Sequence, residues 1–169
     1  MAYKIEKIRP EHDRDICRII KRVGAEYGAV GDGFGPADEE VLCMSRHYGR
    51  NSNRIYLVAT RDGQAVGGGG IAAFNGSSTI CELRKLFLLA ESRGQGLGEA
   101  LALKCLAHAK AMGYTQCYLD TLSSMKAAIS LYEKLGFTHL RTPLDGTNHH
   151  GCDVWMIKEL SEEQPSRHY

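Results

Sequence analysis

Arg93-Gly94-Gln95-Gly96-Leu97-Gly98 is the stretch on which the reading of this chain turns. An apolar run, Leu83 to Leu89, precedes it, and Glu99-Ala100-Leu101-Ala102-Leu103-Lys104-Cys105-Leu106 follows with strong helix propensity. The order is strand, glycine turn, helix. It puts glycines at a helix N-terminus, where backbone N–H groups lack intrahelical partners and the helix dipole is positive. Glycine lets those donors approach a ligand with no side chain between. The stretch therefore reads as an anion site suited to a pyrophosphate.

Outward from the turn, the periodicities set the remaining elements. Downstream, Leu97 to Met112 reads as a helix closed by Gly113, and Cys117 to Thr121 as a short strand. Met125 to Leu135 is a helix with Ala128, Ile129, Leu131, Tyr132 and Leu135 apolar, ended by Gly136. Phe137 to Leu140 and Val154 to Ile157 are closing strands joined by polar Arg141 to Asp153. Upstream, Thr79 to Leu89 is a long strand, preceded by Ile55 to Thr60 and Ala65 to Phe74 around a hairpin-type Asp62-Gly63. Gly67 to Gly70 is an odd strand interior and marks close approach of another backbone or ligand. The chain opens with a short strand holding Tyr3, Ile5 and Ile8, then a helix on Ile16, Ile19, Ile20 and Val23 to about Tyr27. Gly28 to Pro36 forms a shaped loop, and a second helix, capped by Asp38, is expected through Val41, Leu42 and Met44 to about Tyr48.

The 169 residues are 43% hydrophobic, which suits one compact domain, expected over residues 1–160 with a polar tail from 161 to 169. Net charge is +1 with both signs interspersed, so neither a nucleic-acid nor a membrane-surface partner is indicated. Met1 to Pro10 carries no secretory pattern, and no apolar run reaches membrane-spanning length. The six cysteines form no C-x-x-C pair and read as free thiols of a reducing compartment, which makes the expected location cytoplasmic. A dinucleotide fingerprint, with Asp120 as its acidic residue, fails at Glu99, where glycine or alanine is required. A P-loop fails because no Gly-Lys-Ser/Thr follows the turn.

The strand Glu82-Leu83-Arg84-Lys85-Leu86-Phe87-Leu88, the turn Arg93-x-x-Gly96-x-Gly98 and the later Ala128-Ile129-Ser130-Leu131-Tyr132-Glu133-Lys134-Leu135-Gly136-Phe137 together resemble the GNAT superfamily of acyl-CoA-dependent N-acyltransferases. The resemblance implies a mixed, mostly antiparallel α/β sheet with helices on both faces, splayed at the coenzyme strand. It implies acetyl transfer from acetyl-CoA to a primary amine, small-molecule or peptide, by direct attack and without a metal, in a monomer or homodimer. Backbone N–H groups from Gly94, Gln95, Gly96, Leu97 and Gly98, with Arg93 in the first motif position, would hold the pyrophosphate. The edge of Leu86, Phe87 and Leu88 would bind the pantetheine arm like another strand, and a bulge there could aim one N–H at the thioester carbonyl. Met125 stands where the family often has an asparagine that contacts the pantetheine region.

Two proton-handling roles follow from the same resemblance. Glu82, read as sharing an alternating face with Arg84, Leu86 and Leu88, matches the family's glutamate base. Tyr132 matches its tyrosine acid for the leaving thiolate. Against these stand plainer readings: Glu82 paired with Arg84 or Lys85, Arg84 and Lys85 on a solvated face, and Tyr132 in the core. Tyr27, Phe34, Arg84 and His149 are the candidate acceptor contacts; the N-terminal region that holds Tyr27 and Phe34 is made acidic by Glu26, Asp32, Asp38, Glu39 and Glu40. His149, His150, Cys152 and Asp153 have no common structural-zinc spacing. A non-catalytic module that binds acyl-CoA is the alternative function.

Overall fold

The computed structural model describes residues 3–49, 53–147 and 149–160. The expected tail from 161 lies outside the described residues. Seven strands form one sheet: β1 (Tyr3–Lys7), β2 (Ile55–Arg61), β3 (Gln64–Ala73), β4 (Ile80–Leu88), β5 (Gln116–Thr121), β6 (Thr138–Leu140) and β7 (Val154–Glu159). Their order is β1-β2-β3-β4-β5-β7-β6. All neighbours pair antiparallel except β4 and β5.

Helices cover both faces. On one, α1 (Asp13–Glu26) and the short α2 (Met44–His47) bury Ile16, Ile19, Ile20, Val23 and Met44 against Tyr56, Val58 and Ala72. On the other, α3 (Leu97–Ala111) and α4 (Lys126–Lys134) bury Leu97, Leu101, Cys105, Leu106 and Tyr132 against Leu57, Ile71, Cys81, Leu83 and Leu119. The i, i+3, i+4 spacing of α1 and the alternation of the strands account for this division.

The second helix is shorter than expected. Gly35–Ala37 and Glu39–Cys43 are 3-10 turns, and only Met44–His47 is α-helical. Asp38 makes no side-chain cap there, since its carboxylate is drawn to Lys85 and His149 instead.

The parallel pairing is brief. β4 meets β5 only from Ile80, Cys81 and Glu82 to Gln116, Cys117 and Tyr118, while β5 stays paired with β7 as far as Thr121. Beyond Glu82 the two strands part, and along that edge no strand of the described residues lies beside Leu83 to Leu88.

On its other side β4 carries a bulge. Arg84 pairs with Gly70 and Phe87 with Gly68, so Lys85 and Leu86 together stand opposite Gly69. Lys85 takes φ 50°. The extra residue reverses the alternation that a regular strand would have: Leu83, Leu86 and Leu88 pack towards α3 and α4, and Phe87 towards α1. Glu82 therefore does not share a face with Leu86 and Leu88, as simple alternation implies.

The glycine run of β3 makes this arrangement possible. A Cβ on Gly68 or Gly70 would stand 2.6 or 2.7 Å from the Tyr56 ring, and one on Gly69 2.6 Å from Leu86 Cδ1. Tyr56, lying across the glycines, donates its hydroxyl to the Lys85 carbonyl at 2.9 Å.

Candidate active site

Two concave regions meet at the β4 bulge. The first is an apolar groove of about 330 Å³, lined by Leu86, Phe87 and Leu88 of β4, by Arg93, Gly94, Gly96, Leu97 and Gly98, and by Met125, Ala128 and Leu131 of α4. Gly94 and Gly96 have φ of 76° and 78°, and the space where each Cβ would stand is open. Gly96 is the N-cap of α3, and the first intrahelical bond within this turn runs from the Ala100 N–H to the Gly96 carbonyl at 3.0 Å. The N–H groups of the first turn are thus free for an anion at the positive end of a 15-residue helix. An open glycine cradle, a helix N-terminus and an unpaired strand edge fit the diphosphate and the amide-bearing arm of coenzyme A.

Some expected contacts sit differently. Gln95 does not line the groove, and its side chain donates to the Glu91 carbonyl at 3.4 Å. Arg93 lines it, but its guanidinium also donates to the Leu88 carbonyl at 3.1 and 2.9 Å and pairs with Glu26 at 2.6 and 3.0 Å. Tyr27, expected near the acceptor, lines the coenzyme groove beneath Arg93. Met125 caps α4, and its sulfur accepts from the Thr121 hydroxyl at 3.4 Å. Tyr132, on α4 one residue past Leu131, is 6% exposed and packs edge-on against Phe137. Burial raises its pKa, so the phenol stays protonated. It is not among the residues lining the groove.

The second region is a polar cavity of about 410 Å³ lined by Asp38, Glu39, Glu40, His47, Arg54, Glu82, Arg84, Thr147, His149 and the Ala73–Gly76 turn. Between them a small hollow forms a passage-like recess that shares Glu82, Arg84 and His149 with the cavity and Phe87 and Met125 with the groove, and is lined also by Phe34, Lys85 and Asp120. Arg84 and His149 thus line the polar cavity, and Phe34 lines the hollow beside it.

The cavity wall is a charge network. Arg84 reaches Glu82 at 2.8 Å and Glu40 at 3.3 Å, and Lys85 reaches Asp38 at 2.9 Å and Glu40 at 3.0 Å. The solvated face expected for Arg84 and Lys85 is not what forms: their side chains are 18% and 2% exposed, because the bulge turns both inwards onto these carboxylates. His149 donates from Nε2 to Asp38 at 2.8 Å and from Nδ1 to Asp120 at 2.9 Å, with Glu82 3.7 Å away. Thr147 donates to Asp120 at 2.6 Å, and Tyr48 to Glu40. Thr147 and Arg54 were not singled out from the sequence, Glu40 was named only as part of the acidic N-terminal region, and Asp120 only in a dinucleotide fingerprint that fails. They converge from separate segments, and no local pattern marks them.

Ionisation follows from this geometry. Burial pulls the His149 pKa down, but the bonds to Asp120 and Asp38 outweigh it and raise it to about 10. Burial likewise opposes ionisation of Asp38, yet His149 and Lys85 bring it down to about 2. Glu82, 5% exposed, goes the other way: burial raises its pKa, the Arg84 charge opposes this, and Asp120 adds to it. Counted with His149 charged, four carboxylates (Asp38, Glu40, Glu82, Asp120) face three cations (Arg84, Lys85, His149). One negative charge is in excess, and Glu82 is the carboxylate held above its ordinary range. His150 and Asp153 leave this cluster, His150 packing at Gly33 and Asp153 accepting from Ser123. Ligating atoms of Glu82, Asp120 and His149 lie within 4.8 Å of one another, with both His149 nitrogens already bonded to carboxylates.

The family model for the GNAT acetyltransferases matches residues 26–137, which contain the glycine cradle, the bulge and most of the charge network. The chain belongs to the GNAT acetyltransferase family. It is 44% identical over 147 residues to the uncharacterized N-acetyltransferase YjgM of Escherichia coli, covering 86% of this chain and 87% of that one. It is 32% identical to human N-acetylaspartate synthetase over 70% of this chain and 37% of that protein. The structure of YncA from Salmonella typhimurium with its cofactor acetyl-CoA superposes with TM-score 0.77 at 19% identity, over 97% of each chain. This GNAT member is accordingly an N-acetyltransferase with acetyl-CoA as its co-substrate. No helix among its described residues is long and apolar enough to cross a membrane.

Proposed function

We propose that this GNAT enzyme acetylates the amine of a small polar metabolite in the cavity beside the β4 bulge, with Glu82 as the base. The observation that carries this reading is the one-charge excess around Glu82, at the mouth of the passage to the coenzyme groove. An alkylamine arrives as ammonium at neutral pH. Its charge balances the network. When the ammonium proton passes to Glu82, the amine becomes a nucleophile and the remaining three carboxylates match the three cations. The network is balanced before and after the transfer, so neither state is left with an unpaired buried charge.

The cradle of Gly94, Gly96, Leu97 and Gly98 holds the diphosphate of acetyl-CoA, and the free β4 edge aligns its arm. An N–H at the bulge donates to the thioester oxygen as negative charge grows there. The amine nitrogen forms its bond to the acetyl carbon and the carbon–sulfur bond breaks. The sulfur takes a proton as it leaves; Tyr132, kept protonated by burial and one residue past groove-lining Leu131, is the donor carried over from the family, and the second proton that the nitrogen loses on becoming an amide restores it.

A carboxylate-bearing amine, such as an amino acid from a cytoplasmic pool, is the acceptor class we favour. His47, on the cavity wall outside the counted network, supports it, as do the relatives named N-acetylaspartate synthetase.

The test is coenzyme release across amino acids, their amides and simple alkylamines. Free amino acids should turn over fastest, and a preference for alkylamines would remove the carboxylate from the reading. Glu82→Gln should lower kcat about 100-fold and abolish the fall of kcat/KM at acid pH, which in the wild type lies above the usual carboxylate range. Tyr132→Phe should lower kcat with the KM for acetyl-CoA retained, and unchanged turnover would exclude it as the acid.

A further inference from the structure

Lys85 has two attachments that belong to different halves of the site. Its backbone is the bulge itself, at φ 50° and with its carbonyl held by the Tyr56 hydroxyl. Its side chain, 2% exposed, ends on Asp38 at 2.9 Å and Glu40 at 3.0 Å, two carboxylates that line the acceptor cavity. A lysine is strained in the left-handed region, and such a conformation persists where the surroundings over-determine it. Here Tyr56 fixes it from β2 and the ion pairs fix it from the 35–43 segment.

We propose that Lys85 is a positioning residue: its buried ammonium ties the acceptor wall at Asp38 and Glu40 to the bulge that presents the acetyl carbonyl, and so sets how amine and carbonyl meet. The proposal rests on the assignment of groove and cavity made above. Glu82 and Arg84 act from the same strand, but neither joins both Asp38 and the bulge peptide. Lys85 does not line the coenzyme groove, so the donor is held without it. What depends on it is alignment, and misplacement by about 1 Å can cost 100-fold in rate.

Steady-state kinetics on Lys85→Met and Lys85→Gly test this. Glycine accepts positive φ at no steric cost, so Lys85→Gly keeps the bulge while removing the ammonium. Both variants should lose about 100-fold in kcat, with the KM for acetyl-CoA within roughly threefold of wild type and thermal stabilisation by acetyl-CoA retained. Wild-type kcat in either variant would overturn the proposal. Recovery in Lys85→Gly alone would show that only the backbone conformation matters, and would overturn it equally. A KM for acetyl-CoA that rises in step with the loss of kcat would reveal a collapsed groove and reject the positioning role. If Lys85→Met does not fold, Lys85→Gly decides the matter on its own. Failure of the functional reading is seen separately, as a wild type that binds acetyl-CoA but releases no coenzyme with any amine; that result would remove this role too.

Discussion

His149 shows at the residue scale how a side chain on a polar loop becomes a fixed charge. Between Asp38 and Asp120 it is an imidazolium well past neutrality. A raised pKa means that the folded state holds the proton more tightly. The stabilisation is complete below about pH 6.5 and drains away as pH rises towards about 10. Asp38, lowered to about 2, contributes fully above its ordinary value of 3.8 and loses its contribution as pH falls through 2. Replacing His149 by Gln should therefore cost about 3 kcal/mol near pH 6, the scale of a broken buried ion pair. The difference from wild type should shrink steadily up to pH 10 in denaturant titrations. A difference that did not change with pH would refute the charged assignment.

The glycine turn and the bulge divide what was legible in the sequence at the element scale. Arg93 to Gly98 could be read because the glycines are needed locally, at φ that other residues resist. Gly96 tests the point. A Cβ there meets nothing within 4 Å, so Gly96→Val should fold, but φ 78° is a poor state for a β-branched residue. The turn would reorganise at a cost of about 1–2 kcal/mol, and calorimetry should show acetyl-CoA affinity falling at least about tenfold. Unchanged affinity would dismiss the cradle. The bulge was not legible. Leu83-Arg84-Lys85-Leu86-Phe87-Leu88 alternates acceptably with or without an extra residue, and only its pairing with β3 decides. The trace it leaves is the run Gly67 to Gly70, which marked a close approach without naming Tyr56 and Leu86 as what approaches. The 3-10 turns before α2 escaped for a similar reason: the segment from Gly35 to Cys43 is shaped by where Asp38 and Glu40 must reach, not by its own propensity.

For the molecule as a whole, the sheet is incomplete along most of one strand. β4 pairs with β3 from Cys81 to Leu88 around the bulge but parts from β5 after Glu82, and the core on the α3–α4 side continues into the groove through Leu86 and Leu88. A ligand that fills this gap should stabilise the entire domain. At a hundred times its dissociation constant, acetyl-CoA should add about 2.7 kcal/mol and raise the melting temperature by roughly 5–10 °C. NAD, whose fingerprint fails at Glu99, should leave it unchanged; the reverse order in a thermal-shift assay would contradict the coenzyme assignment. The fold class was legible through the resemblance carried together by the strand Glu82–Leu88, the glycine turn and the segment Ala128–Phe137. The charge network was legible only in part: Glu82, Arg84 and His149 could be named singly, but Asp38, Glu82, Asp120 and His149 come from four separate segments and their meaning lies in the sum of their charges.

That sum also bears on how the reaction ends. The surplus negative charge attracts an ammonium ion, but the acetylated product is an uncharged amide at that nitrogen. In the proposed reaction, once the proton on Glu82 has returned to water, the wall is again one charge short and the product offers nothing to fill it, whereas a fresh amine does. The pocket thus prefers what it consumes to what it makes, and N-acetylated product should bind far more weakly than the free amine from which it is made. Equal dissociation constants for the two would show that neutralising the amine does not weaken its hold on the wall.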